Sequence, residues 1–357
     1  MPNVFECSNT NAWNLLLENN PSASAYLLWE YGEALCQTYH YDRHYLVSDS
    51  ASNIVGALPL IHIRSRLFGN RLISLPFCEY GGPIFKPDLE QREAIDTWKH
   101  LLNATMNLAT ELGVDYVELR QPSLDESVLL ENGFGNVQSY VTFRIELSKG
   151  ERELWNSLDK KTRNAVRKAQ KSKLDVDDVR EPSQLKEYYL LYLKTQKRLK
   201  SPPHSFKLFQ NLFSTFSANQ RMRMILARHK DVFIAGITVF FHGNTVFWWN
   251  NVSDAEHRSL NPTNLLLWHT MKWATENGYR TMDLGRTRKS STIYSYKSGW
   301  GGEEKPLRDY MRFLGSNKKS LPDPSQKKYR LLSAIWSLLP VAASQRIGPR
   351  IIQGIGL

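Results

Sequence analysis

Apolar positions along the chain switch between two periods, and the switch happens twice. Residues 45–49, 53–63 and 71–75 read as strands. They are followed by the turn-rich FCEYGGPIF (77–85) and then by an amphipathic helix that ends in TMNLATELG (105–113). Later, 221–228, 232–241 and 245–251 read as strands joined by turns at 229–231 and 242–244, the spacing of antiparallel hairpins. A second helix then ends in TMKWATENG (270–278), 165 residues beyond the first phrase. In both copies glycine stands where a helix C-cap is expected, and a short strand follows: DYVELR from Asp115 and YRTMDLG from Tyr279. The pattern predicts an α/β (α+β) chain of two duplicated domains, each with a mixed, mostly antiparallel sheet flanked by helices. The expected boundaries are 1–147 and 148–315, with a tail over 316–357.

Between the two halves, Ser148 and Glu151 form a capping-box pattern that opens a helix running to about Lys171. Further helices are expected over 183–199 and 205–218, separated by Ser201-Pro202-Pro203, where proline forbids continuation. In the tail, Leu331, Leu332, Ile335, Trp336 and Leu339 give an apolar stripe. That stripe suits either a lipid headgroup interface or docking on the second domain.

Composition narrows the class. With 357 residues, 41% hydrophobic and 23% charged, the chain is neither disordered nor collagen-like. Three cysteines, Cys7, Cys36 and Cys78, have no CxxC spacing and point to a reducing compartment. The N-terminus has no signal-peptide pattern, and the most apolar run, 331–343, contains Pro340 and is too short to span a bilayer. The net charge of +11 calls for an anionic partner: nucleic acid, a membrane face or a phosphorylated substrate. The charge is uneven. Residues 160–173 carry seven basic side chains and no acidic one, and the tail carries seven against Asp323 alone.

Three segments then resemble a known family: LWNSLDKKTRNAVRKAQKSKLDV (154–176), KTQKRLKSPPHSF (194–206) and MDLGRT…YSYKSGWGGEEKPLRDY (282–310). Their order and content are similar to the FemAB-like branch of the GNAT acetyltransferase superfamily, closest to members found with exopolysaccharide and exosortase systems. The resemblance implies two tandem GNAT-like domains and transfer of an acyl or aminoacyl group to an amine. It also implies polyanionic substrates, because relatives take amino acids from aminoacyl-tRNA to peptidoglycan precursors. The loop before the second repeated helix, RSLNPTN (258–264), has no glycine. It therefore departs from the glycine-rich phosphate cradle of the coenzyme-A branch.

The resemblance places Lys297, between Tyr294, Tyr296 and a glycine cluster, at the reaction centre. An ammonium there can stabilise the oxyanion formed when an amine attacks an ester or thioester, or it can simply pack its stem on Tyr296. Asp283 and Arg286, at the end of the strand after the repeated helix, are candidates for proton acceptor and phosphate grip. An ion pair fixing the turn is an equal alternative for Asp283, whose counterpart in the first repeat is Glu118. Arg163, Arg167 and Lys168 form a basic helix face that suits a polyanion or plain solvent. His204 is either a substrate contact or a capping or core residue. Glu79 and Tyr80, before Gly81-Gly82, form a site for an incoming ammonium or an ordinary turn.

The sequence has no GxSxG elbow, phosphate-loop or HExxH pattern, and no metal site is expected. The expected function is a FemAB-like N-acyltransferase, with no tightly bound cofactor and with acyl-CoA or aminoacyl-tRNA as donor. Its acceptor is a phosphorylated, amine-bearing envelope, peptidoglycan-type or polysaccharide precursor. The location is cytoplasmic or peripheral at the inner membrane face. The alternative is a non-catalytic RNA- or anionic-surface-binding protein on the same fold.

Overall fold

The computed structural model describes residues 3–18, 20–50, 53–66, 68–121, 126–315, 336 and 339–356. The chain forms two compact units. The described residues of unit 1 fall within Met1–Ser139, Leu307–Asp323 and Gln353–Leu357, and those of unit 2 within Tyr140–Pro306 and Pro324–Ile352.

Unit 1 contains β1 (Asn3–Glu6), α1 (Thr10–Leu17), α2 (Trp29–Tyr39), β2 (Asp42–Ser50), β3 (Asn53–Ser65), β4 (Gly69–Ile73), β5 (Ile84–Phe85), α3 (Gln91–Glu111), β6 (Tyr116–Arg120) and α4 (Glu126–Glu131). Strands β1 to β4 pair antiparallel in chain order, and β6 runs parallel to β4. Unit 2 begins within β7 (Gly135–Glu146) and continues through α5 (Glu151–Ser157), α6 (Lys160–Lys171), β8 (Asp175–Asp178), α7 (Pro182–Leu199) and α8 (Phe206–Ala218). Then come β9 (Met222–His229), β10 (Val232–His242), β11 (Thr245–Ser253), α9 (Pro262–Glu276), β12 (Thr281–Asp283) and α10 (Thr292–Ser298). Strands β8 to β11 are antiparallel, β12 is parallel to β11, and β7 closes the row against β12. Strand β13 (Glu303–Phe313) brings residues 309–313 to β6 of unit 1, and α11 (Val341–Ile355) follows.

The repeat is structural. Helices α3 and α9 end at Glu111 and Glu276, 165 residues apart like the phrases themselves. Thr105 donates to the carbonyl of Leu101 and Thr270 to that of Leu266, both at 2.8 Å. Gly113 and Gly278 both turn left-handed, at φ 59° and 79°. The following amides, of Val114 and Tyr279, donate back to Ala109 and Ala274 at 3.1 and 3.0 Å. In each unit the helix packs its apolar face on the sheet. Trp98, Leu101 and Leu102 meet Leu72, Val117 and Leu119 in unit 1. Leu266, Leu267 and Met271 meet Val239, Val246 and Met282 in unit 2.

Two sequence expectations change. The single helix expected from Ser148 to about Lys171 is two, α5 and α6, because Asp159 starts a new one. Its Oδ1 accepts the Thr162 N–H at 2.5 Å, while Leu158 is extended. Gly150, not Ser148, holds the first cap position, and the Ser148 hydroxyl donates to Glu146 instead. In the tail, Leu331, Leu332 and Ile335 lie outside the described residues. Trp336 is buried and gives its indole N–H to the Ser201 carbonyl of unit 2 at 3.1 Å. Among the described residues no helix is long and apolar enough to cross a membrane.

Both repeat glycines have open space around a would-be Cβ, so only backbone strain resists substitution. Gly113→Ala and Gly278→Ala should each lower unfolding free energy by about 1 kcal/mol in urea titration. A loss well above that would mean that packing, not the left-handed turn, selects glycine.

Candidate active site

A parallel strand pair joined through a helix opens where its strands stop pairing. In unit 2, β11 and β12 pair at only three positions, ending with Phe247 opposite Asp283. Strand β11 runs on to Ser253 with β10 as its strand partner. The cause is local: Thr238 faces Asn250 and Val239 faces Trp248, so Trp249 is an extra residue, a β-bulge. Bulges bend and twist a strand, here turning β11 away from β12 at the edge of the gap.

Unit 1 has the same three-position pairing, from Arg71 opposite Tyr116 to Ile73 opposite Glu118. There the gap is filled by loop 74–82. Ser74 N–H donates to Glu118 O at 2.9 Å, Ser74 Oγ accepts from Arg120 N–H at 2.8 Å, and Gly81 N–H donates to Arg120 O at 3.3 Å. A Cβ on Gly81 would lie 2.0 Å from the Ser74 carbonyl, so the fit needs glycine. Glu79 and Tyr80 belong to this loop of unit 1, while the other sequence candidates belong to unit 2.

Lys297 sits at the unit 2 gap, 6% exposed. Its ammonium donates to the carbonyls of Gly285 and Arg286 at 2.9 and 3.0 Å, beyond the end of β12. It also lies 5.2 Å from the ring centre of Trp248 on β11. The ammonium thus hydrogen-bonds one side of the opening and lies within cation–π range of the other. The turn that holds it is tied by Asp283, 1% exposed, whose carboxylate accepts from Thr142 Oγ1 at 2.5 Å, Gly285 N–H at 2.8 Å and Arg144 Nε at 3.1 Å. The guanidinium carbon of Arg286 lies 4.4 Å from the ring centre of Tyr140.

Helix α10 presents Lys297 because the glycines after it allow close approach to α5 and α6. A Cβ on Gly299 would meet Thr162 Oγ1 at 2.6 Å, and one on Gly301, at φ 75°, the Ser157 carbonyl at 2.6 Å. Tyr296 packs near Trp248 and Trp300, and burial raises its hydroxyl pKa well above the ordinary value. Tyr294 donates to Glu304 at 2.5 Å.

The basic helix divides by role. Arg163 turns back to donate to the carbonyls of Asn156 and Leu158 at the end of α5, and Arg167 lies 5.2 Å over Trp155. Lys160, Lys161, Arg167, Lys168, Lys171 and Lys173 are exposed. None of them has an ion-pair partner among the described residues. His204 stacks between Tyr192 and Trp249, at 6.4 and 6.5 Å, and burial pushes its imidazole down to about 3, so it is neutral. Ser205, not His204, caps α8.

Sequence reasoning does not reach Trp248, Tyr140, Thr142 or Arg144. The last three lie on β7, whose alternating VTFRIEL (141–147) is a usable strand signal. Trp248 carries no such signal, because its place depends on the bulge at Trp249.

Residues 156–298 match the acetyltransferase (GNAT) domain family, a stretch that lies within unit 2. No curated protein sequence matches the chain. The fold is similar to that of FemX, with a TM-score of 0.68, 14% identity, and coverage of 93% of this chain and 100% of the other. It is also similar to a tandem GNAT protein of the clavulanic acid biosynthesis pathway, with a TM-score of 0.57, 11% identity, and coverage of 89% and 100%. The C-terminal domain of a putative lysylphosphatidylglycerol synthetase from Agrobacterium fabrum follows at a TM-score of 0.56, 13% identity, and coverage of 86% and 92%. These likenesses show the fold, a mixed, mostly antiparallel GNAT-type architecture in tandem.

Two outcomes follow from the geometry. Gly301→Ala should destabilise the chain by about 1–3 kcal/mol, since strain and a backbone clash add, and urea midpoints measure it. His204 binds its proton less readily when folded than when unfolded, so it contributes stability above the ordinary imidazole value of about 6.5 that is lost as pH falls toward 3. His204→Phe should therefore lose less of its urea midpoint between pH 7 and 5 than wild type. An equal loss would remove His204 from the acid response.

Proposed function

We propose that the chain, whose residues 156–298 match the acetyltransferase (GNAT) domain family and whose fold is similar to that of FemX and a tandem GNAT protein, is an acyltransferase that moves an acyl or aminoacyl group from an activated donor to an amine of a cell-envelope or polysaccharide precursor. The observation that carries this reading is the Lys297 ammonium spanning the open gap between β11 and β12. The donor carbonyl lies in that gap, and the acceptor amine attacks its carbon. A C–N bond forms, and the C–O bond of an aminoacyl ester or the C–S bond of a thioester breaks. The leaving oxygen or sulfur keeps the electron pair, and the amine's surplus proton passes to it or to solvent.

Lys297 stabilises the negative oxygen of the tetrahedral intermediate. Asp283 is a positioning residue, because its carboxylate holds the turn whose carbonyls hold Lys297. The exposed cations of α6 bind the phosphates of a polyanionic donor or acceptor. Likeness to FemX and to a lysylphosphatidylglycerol synthetase supports an aminoacyl donor and an envelope acceptor. The glycine-free loop before α9 favours aminoacyl-tRNA over acyl-CoA.

Purified protein is to be offered aminoacyl-tRNA and acyl-CoA with a panel of amino-sugar and peptide precursors, and products read by mass spectrometry. Transfer is expected from at least one donor. Lys297→Met, which keeps the chain length without the charge, should cut turnover about 10²–10³-fold while donor binding persists. Transfer from neither donor, or full turnover by the folded variant, overturns the reading.

A further inference from the structure

On unit 1, the face of β4 and β6 turned away from α3 holds two buried guanidinium groups. Arg71 is 1% exposed and Arg120 is 2% exposed. Arg120 has a counter-charge, since its Nε donates to Glu118 Oε1 at 2.9 Å, and Asp309 stands opposite it in the β13 register. Arg71 has none among the described residues. Its Nη1 donates to Tyr116 Oη at 3.3 Å, its Nη2 to the Gly354 carbonyl, and its Nε finds no acceptor there. Burying a cation without a carboxylate is costly, so the group that covers it is informative.

The cover is the end of α11. Gln353 accepts at its carbonyl from Tyr41 Oη and donates from Nε2 to the Tyr39 carbonyl, both at 2.6 Å. Arg71 holds the Gly354 carbonyl, and Arg120 Nη2 donates to the Gly356 carbonyl at 2.7 Å. Gly354 lies in the last turn of α11, whose carbonyls have no internal partners and carry the negative end of its dipole, and Gly356 follows just past it. At either glycine a Cβ would meet a side-chain tip, and at 356 it would also meet backbone strain. A Cβ at 354 would lie 2.8 Å from Ser65 Oγ, and one at 356, where φ is +61°, would lie 2.7 Å from Ile63 Cδ1.

We propose that the Arg71–Arg120 cleft is an anion-binding site that the chain closes with its own helix end, and that its ligand carries carboxylate or phosphate oxygens in place of the Gly354 and Gly356 carbonyls. A helix end offers about half a negative charge, whereas a full anion gives Arg71 the charge-assisted partner it lacks. Loop 74–82 borders the same cleft, since Arg120 Nη1 donates to the Cys78 carbonyl at 3.3 Å. The ligand therefore meets unit 1 where its strand gap is filled.

The full chain is to be titrated calorimetrically with inorganic pyrophosphate and with succinate, as wild type and as Gly356→Val, with amide exchange followed at 353–356. An occupied site binds more weakly in proportion to the fraction open, so the variant should bind at least one probe about tenfold tighter. Tightening for pyrophosphate alone assigns phosphate chemistry, and tightening for succinate alone assigns carboxylate. Arg71→Met in the Gly356→Val background should abolish the gain. In wild type, saturating probe should speed exchange at 353–356, a readout that stands even if the variant folds poorly. If exchange at 353–356 is unchanged by probe, or the freed variant gains no affinity, or the gain survives Arg71→Met, the two arginines are only caps on α11 and the proposal is wrong.

Discussion

A lysine kept almost entirely from water must find acceptors for its charge, and the arrangement of unit 2 follows from how Lys297 finds them. Its ammonium reaches the carbonyls of Gly285 and Arg286. Those carbonyls are in place because Asp283 ties the Gly285 amide to Thr142 and Arg144 of β7. Helix α10 can bring the lysine there because Gly299 and Gly301 let the chain pass against Asp159, Thr162 and Ser157. Strand β7, the α5–α6 corner and the 283–301 stretch, which are far apart in sequence, thus meet around one buried charge. That explains why a motif reading YSYKSGWGG combines aromatics, a lysine and small residues.

The two units share a scaffold and differ at the place where chemistry is possible. Both have a parallel strand pair of three positions ending in an acid, Glu118 or Asp283, beneath a helix with the same closing hydrogen bonds. In unit 2 β11 bulges at Trp249 and stops pairing with β12 beyond Phe247, beside Trp248 and Lys297. In unit 1 loop 74–82 takes the backbone bonds that the gap would leave open. The two units repeat one frame, and local backbone geometry differs between them at the end of the parallel pair.

Much of the fold was legible because it rests on local rules. The repeated phrase specified helix, glycine turn and strand, and the hairpins around 230 and 243 followed from turn residues and alternation. The α5–α6 break was legible in principle, since Asp159 precedes Thr162 by a capping interval. What was not legible depends on long-range pairing. Nothing in 135–146 says that this strand closes unit 2 against β12, or that 309–313 pairs with β6 of unit 1. The same holds for the site. Lys297, Asp283 and Arg286 stood out as a motif, whereas Trp248 and Tyr140 became visible only once the bulge and β7 were placed. The basic helix was visible as charge, but only the structure separates Arg163, which donates to the carbonyls at the end of α5, from the exposed lysines, which have no ion-pair partner among the described residues.

The central claim is that the donor reacts in the unit 2 gap, and photo-affinity labelling tests it most directly. A diazirine-bearing aminoacyl or acyl donor analogue would be cross-linked to the full chain and the labelled peptides mapped. The account predicts label on 248–253 and 285–297, competed away by unmodified donor. Competable label confined to loop 74–82, or to the α3–β6 region of unit 1, would contradict it.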